Sequence, residues 1–184
     1  MKTFMIGDSQ TKRLINNFYG KNPLIRDWAL SGAKAEDVFR LVYENVKSGD
    51  KPDKSTDVCT IWVGTNDVLK YGTLEEFKSW TKKLITYCKK MFKRIFLVLL
   101  PPILQPRPNN IEQCYINDIN KYLTSFTSNE LIRIVSLTNI SDVDLFEKHI
   151  GRERRVDLIH LNRAGYLMAK NEIEVIIEKD NNIE

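Results

Sequence analysis

The chain has 184 residues and a mass of 21.5 kDa, a length that fits one domain over residues 1–184. Hydrophobic residues make up 42% and charged residues 28%, enough for a packed core and ordinary for a soluble globular protein. The net charge of +4 and the pI of about 8.9 permit anionic partners without demanding them.

Lys2–Ile6 is a short apolar run, too short for a signal-peptide apolar region, and it enters Gly7-Asp8 directly. A cytoplasmic, reducing setting is the expectation. A helical pattern follows from Thr11 to Phe18, then a strand over Leu24–Leu30. Ala35–Lys47 reads as an amphipathic helix with Val38, Leu41, Val42 and Val46 on one face. The β-branched run Asp57–Val63 ends at Gly64, and Cys59 within it reads as a small core residue. Cys88 and Cys114, like Cys59, form no CxxC pair, so the sequence offers neither a disulfide framework nor a zinc site.

Leu74 to Phe92 carries Phe77, Trp80, Leu84, Ile85 and Cys88 at helical spacing. Ile95–Leu100 is almost wholly apolar, as a strand covered on both faces should be. It stops at Pro101-Pro102, far short of the ~20 residues a membrane span needs. After the Pro-rich loop Pro101–Asn110 come a helix over Ile111–Phe126, a strand over Leu131–Leu137, a loop region and a last helix over Arg163–Glu178.

Five strands alternating with helices predict an α/β fold: a parallel sheet in a three-layer α/β/α sandwich. In such a sheet, ligands bind beyond the carboxyl ends of the strands, near the point where strand order reverses. Gly7-Asp8-Ser9 follows the first strand, Ser31-Gly32-Ala33 the second and Gly64-Thr65-Asn66-Asp67 the third. Asp157-Leu158-Ile159-His160 stands just before the final helix.

Each segment has a plain structural reading. Asp8 or Ser9 caps a helix, Gly32 is a left-handed turn residue and Asn66 sits in a strand-to-helix turn. Each also has a chemical one. A serine in the first turn of a helix presents its hydroxyl at the sheet edge, and its own N–H is among the unpaired donors there. Such a serine needs a base that is itself oriented by a third group. Of two histidines, His149 lies in a charged stretch and reads as a surface residue. His160 follows Asp157 at a spacing of three. In a loop this lets a carboxylate turn back onto Nδ1–H and leaves Nε2 for the serine proton. Gly32 N–H and the Asn66 amide follow strands that end on the same edge, where a developing oxyanion would need donors.

Taken together, the four blocks resemble the SGNH (GDSL-type) hydrolases, in the family's order and across nearly the whole chain. The resemblance implies a five-stranded sheet in 2-1-3-4-5 order and a serine esterase acting on short-chain acyl (for example acetyl) esters of sugars or lipid-like alcohols. It implies Ser9 as nucleophile, His160 as base and Asp157 as orienting acid. Ser9 N–H, Gly32 N–H and Asn66 would form the oxyanion hole. No cofactor or metal is called for. Gln10 departs from the pattern, standing where many members carry leucine or isoleucine, and this touches the local pocket wall.

Other sites on this architecture fit less well. A phosphoacceptor receiver needs an acidic pair after strand one and a lysine after strand five; only Asp8 and Leu137-Thr138-Asn139 stand there. A dinucleotide fold needs GxGxxG after strand one, which Gly7-Asp8-Ser9-Gln10 does not supply. The alternative from another class is a weakly active or inactive binding module that meets nucleic acid or an anionic partner through basic surface. Lys78, Lys82, Lys83, Lys89, Lys90, Lys93 and Arg94 stand in a stretch with no acidic residue. That stripe is read as the solvated back of an amphipathic helix rather than a nucleic-acid surface. Arg107 in the Pro-rich loop, or Arg152 or Arg155 shortly before Asp157, is expected to meet an anionic or sugar-bearing substrate at the site rim.

Overall fold

The computed structural model describes residues 1–70, 72–102, 111–137, 139–140, 142–148 and 156–182, the side chains of 111–112, 143, 147–148 and 156–159 excepted. In chain order the elements are β1 (Thr3–Gly7), α1 (Ser9–Phe18), β2 (Ile25–Ala29), α2 (Ala35–Lys47), β3 (Val58–Trp62), α3 (Thr65–Leu69) and α4 (Leu74–Cys88). There follow β4 (Arg94–Val98), α5 (Ile111–Thr124), β5 (Ile132–Val135), β6 (Phe146–Lys148), β7 (Val156–Leu161) and α6 (Arg163–Asn181).

Among the described residues, β1 to β5 form one sheet in the order β2-β1-β3-β4-β5, every pairing parallel. The order implied by the resemblance is therefore the order found. Right-handed crossovers run one way from β1 to β2 and the other way thereafter. The reversal puts α1 on one face of the sheet and α2, α4 and α5 on the other. The packing agrees, with α2 against α4, α4 against α5, and α6 against α1.

Burial follows from this layering. Every residue of β3 is buried, as in a central strand covered on both faces. Phe4, Trp28 and Phe92 meet edge to face, with ring centres 4.7–6.3 Å apart. Gly7 closes β1 where backbone must approach backbone, because a Cβ there would lie 2.3 Å from the Trp62 carbonyl oxygen.

Three features differ from the sequence reading. Helix α1 starts at Ser9 rather than Thr11, because the Asp8 carboxylate accepts the Gln10 N–H (2.9 Å) and caps the helix earlier. The short α3 after Gly64 has too few residues to show a period. The region before α6, read as loop, holds the antiparallel pair β6–β7. Its register is irregular: Phe146 pairs with Leu161, but the next residue, Glu147, pairs with Asp157. Leu158, Ile159 and His160 are thus looped out of the ladder between those two pairs.

Candidate active site

The carboxyl ends of β2, β1 and β3 stand side by side, with Gly7 in register with both Ala29 and Trp62. The loops leaving these three strands therefore emerge together. Ser9 is the first residue of α1 and is 9% exposed. Its Oγ lies 3.1 Å from His160 Nε2, which reaches it from the looped-out stretch of β7 across 151 positions of sequence. Asn162 anchors that stretch. Its side chain accepts the N–H groups of Ala164 and Gly165, capping α6, and donates to the carbonyls of Asp144 and Phe146. Asp157 lies on β7, and its side chain is outside the described set, as are Arg107, His149, Arg152 and Arg155.

Gly32 is the third residue of a turn closed by Ala33 N–H to the Leu30 carbonyl (3.2 Å). Its φ of +77° is what that position of a type II turn requires. Asn66, in α3, is buried, and its Nδ2 has no hydrogen-bond partner among the described residues. A buried amide donor left unpaired costs free energy unless a ligand or water completes it.

Two residues that the sequence reading passed over tie these donors into one unit. The Asp67 carboxylate accepts the Ala35 N–H (3.1 Å), so a residue of α3 caps α2. Lys34 precedes that helix and has no side-chain acceptor to offer. Lys70, which follows α3, donates through Nζ to the Gly32 carbonyl. The turn carrying Gly32 is thereby fastened at both ends to the segment carrying Asn66. A helix start lacking Ser, Thr, Asp or Asn at its cap was the one sequence sign that an outside acceptor was needed.

Two buried carboxyls lie beneath the site. Burial pushes Asp8 up to about 7, and the Asp67 charge adds to the rise while the Gln10 N–H opposes it. Burial likewise raises Asp67 to about 6, against the pull of the Ala35 N–H and the Lys34 charge. Gln10 is not a pocket wall. It is buried, and its Oε1 accepts the Tyr166 hydroxyl proton at 2.6 Å, joining α1 to α6.

The parallel five-stranded sheet, with Ser9 and His160 in contact at its carboxyl edge, defines an α/β protein of three-layer type. Solved structures share this fold. A GDSL-like lipase from Bacteroides thetaiotaomicron aligns over 97% of this chain and 88% of its own, at 16% identity and a TM-score of 0.72. An acetylxylan esterase from Geobacillus stearothermophilus aligns over 94% and 91%, at 16% identity and a TM-score of 0.67. A lipolytic G-D-S-L family member from Veillonella parvula aligns over 94% and 95%, at 14% identity and a TM-score of 0.69. No curated protein matches the chain. The model of the GDSL-like lipase/acylhydrolase family matches residues 4–173, and the chain belongs to that family of hydrolases. Among the described residues, no helix is long and apolar enough to cross a membrane.

Proposed function

We propose that the protein is a serine esterase that hydrolyses short-chain acyl esters through an acyl-enzyme on Ser9. The observation that carries this reading is the 3.1 Å contact between Ser9 Oγ and His160 Nε2. At that distance the imidazole accepts the hydroxyl proton as oxygen attacks the ester carbonyl. Asp157 is assigned to orient His160 by accepting its Nδ1–H.

As the carbonyl carbon becomes tetrahedral, charge collects on its oxygen. Ser9 N–H at the start of α1, Gly32 N–H and the unpaired Asn66 amide are the donors proposed to receive it. His160 then returns its proton to the leaving alcohol, and the acyl group stays on Ser9. Water, deprotonated by His160, attacks the acyl-enzyme in turn, and His160 returns that proton to Ser9 Oγ as the bond to the acyl group breaks and the carboxylate leaves. The acetylxylan esterase among the structural neighbours supports a small acyl group.

Hydrolysis of p-nitrophenyl acetate, butyrate and octanoate by wild type and Ser9→Ala, with fluorophosphonate labelling, tests the proposal. Turnover and labelling in wild type, both lost in Ser9→Ala with the fold intact, are expected, with acetate preferred. A folded wild type that neither turns over nor labels would refute it.

A further inference from the structure

Part of the basic stripe noted in the sequence lines a shallow groove on the outside of the α2–α4 layer, with a volume of about 440 Å³. Phe39 of α2 and Tyr87 of α4 line it. Their ring centres lie 6.1 Å apart, and Tyr43, 46% exposed, sits at the edge, 5.9 Å from Tyr87 and 6.4 Å from Phe39. Lys82, Lys83 and Lys90 also line the groove. None of these three lysines has a carboxylate partner among the described residues. On the same two helices, Glu36 is paired with Arg40 and Glu75 with Lys78. Lys83 Nζ lies 3.8 Å from the centre of the Trp80 ring, so cation and aromatic surface are interleaved in one patch.

This groove is separate from the Ser9 site. Helix α4 runs back against the parallel strands, so its second half lies toward the sheet edge opposite Ser9. Nothing in the esterase reading uses it. From Lys82 to Lys90 is about 12 Å along the helix at 1.5 Å per residue, or roughly three to four nucleotides at 3.4 Å each. Rings at the centre and uncompensated cations along one side are what a charged strand with planar bases requires. An acidic peptide would use the lysines but leave the rings idle.

We propose that this groove binds single-stranded nucleic acid, with phosphates on Lys82, Lys83 and Lys90 and bases stacked on Tyr43 and its neighbouring rings.

The test is fluorescence polarisation of a labelled oligothymidylate with the intact protein, titrated at several salt concentrations. Three lysine–phosphate contacts predict a slope of log K against log salt of about −2, hence about 16-fold weaker binding at 200 mM than at 50 mM salt. Lys82→Glu/Lys90→Glu should weaken binding at least about tenfold, and Tyr43→Ala several-fold through lost stacking, with p-nitrophenyl acetate hydrolysis unchanged. No polarisation change at 50 mM salt would overturn the proposal, as would binding that survives both variants. Competition by polyglutamate or by anionic vesicles at equal charge, as strong as by unlabelled oligonucleotide, would overturn it in favour of a peptide or membrane.

Discussion

Replacing Asp8 by Asn should stabilise the protein at alkaline pH and do little near pH 4. The carboxyl is fully buried in the native state, where it titrates near 7 against an ordinary value of 3.8. Between those values the folded protein binds about one proton more than the unfolded chain. Stability therefore falls as pH rises, by up to ~1.4 kcal/mol per pH unit for one proton. The contribution is complete below about pH 4 and lost once pH passes about 7. Over the whole interval the loss is on the order of 4 kcal/mol. Asp67, raised to about 6, adds a second loss of the same sign that Asp8→Asn leaves in place. Asparagine has nearly the same shape and is an equally good helix cap, so the hydrogen bond from Gln10 N–H survives. Urea unfolding followed by tryptophan fluorescence at half-unit steps from pH 4.5 to 8.5 measures the gap between the two proteins. It should open steadily with pH and level off above about 7.5. A gap that stays constant across the range would show that the Asp8 charge is compensated in the folded state, and the reasoning would fail.

Asn66→Ala should lower kcat on p-nitrophenyl acetate by about 10²–10³-fold with little change in KM, as loss of an oxyanion donor does; an equal rise in KM would assign Asn66 to substrate binding instead. Lys70→Met should release the Gly32 carbonyl and cost about tenfold in kcat, with Tm unchanged because the lysine is exposed; a kcat equal to wild type would remove it from the site. Gly7→Ala should cost about 2–3 kcal/mol, or roughly 5–10 °C in Tm by calorimetry, since its Cβ would overlap the Trp62 carbonyl; an unchanged Tm would mean the strands part easily. Gln10→Leu should destabilise by about 0.5–1.5 kcal/mol through loss of the buried Tyr166–Gln10 hydrogen bond, and adding Tyr166→Phe should cost less than the sum of the two single losses; strictly additive losses would contradict the pairing.

The strands and long helices were legible because apolar periodicity survives in them. Helix α2 was read at the bounds it has, Ala35–Lys47, and the central strands within a residue or two at each end. Ser9 and His160, chosen because a hydroxyl after strand one needs a base, stand in hydrogen-bond contact. What stayed hidden was local or too short to carry a period. The three-residue β6 has no alternation to detect. A bulge that loops out His160 depends on register with a partner strand, which no single segment encodes. Gln10 read as a pocket departure because its partner, Tyr166, lies 156 positions away. The roles of Asp67 and Lys70 arise between elements, from one loop completing the helix start and turn of another.

The Ser9–His160 contact joins opposite ends of the described chain, and this bears on how the protein is made. A ribosome adding roughly 5–20 residues per second delivers Ser9 first and His160 many seconds later. Throughout that interval the growing polypeptide carries a hydroxyl with no imidazole beside it. A stalled or prematurely released product ending before β7 would hold three of the four blocks on the sheet edge and still lack the imidazole proposed as proton acceptor. The Ser9–His160 contact can form only once β7 has been made.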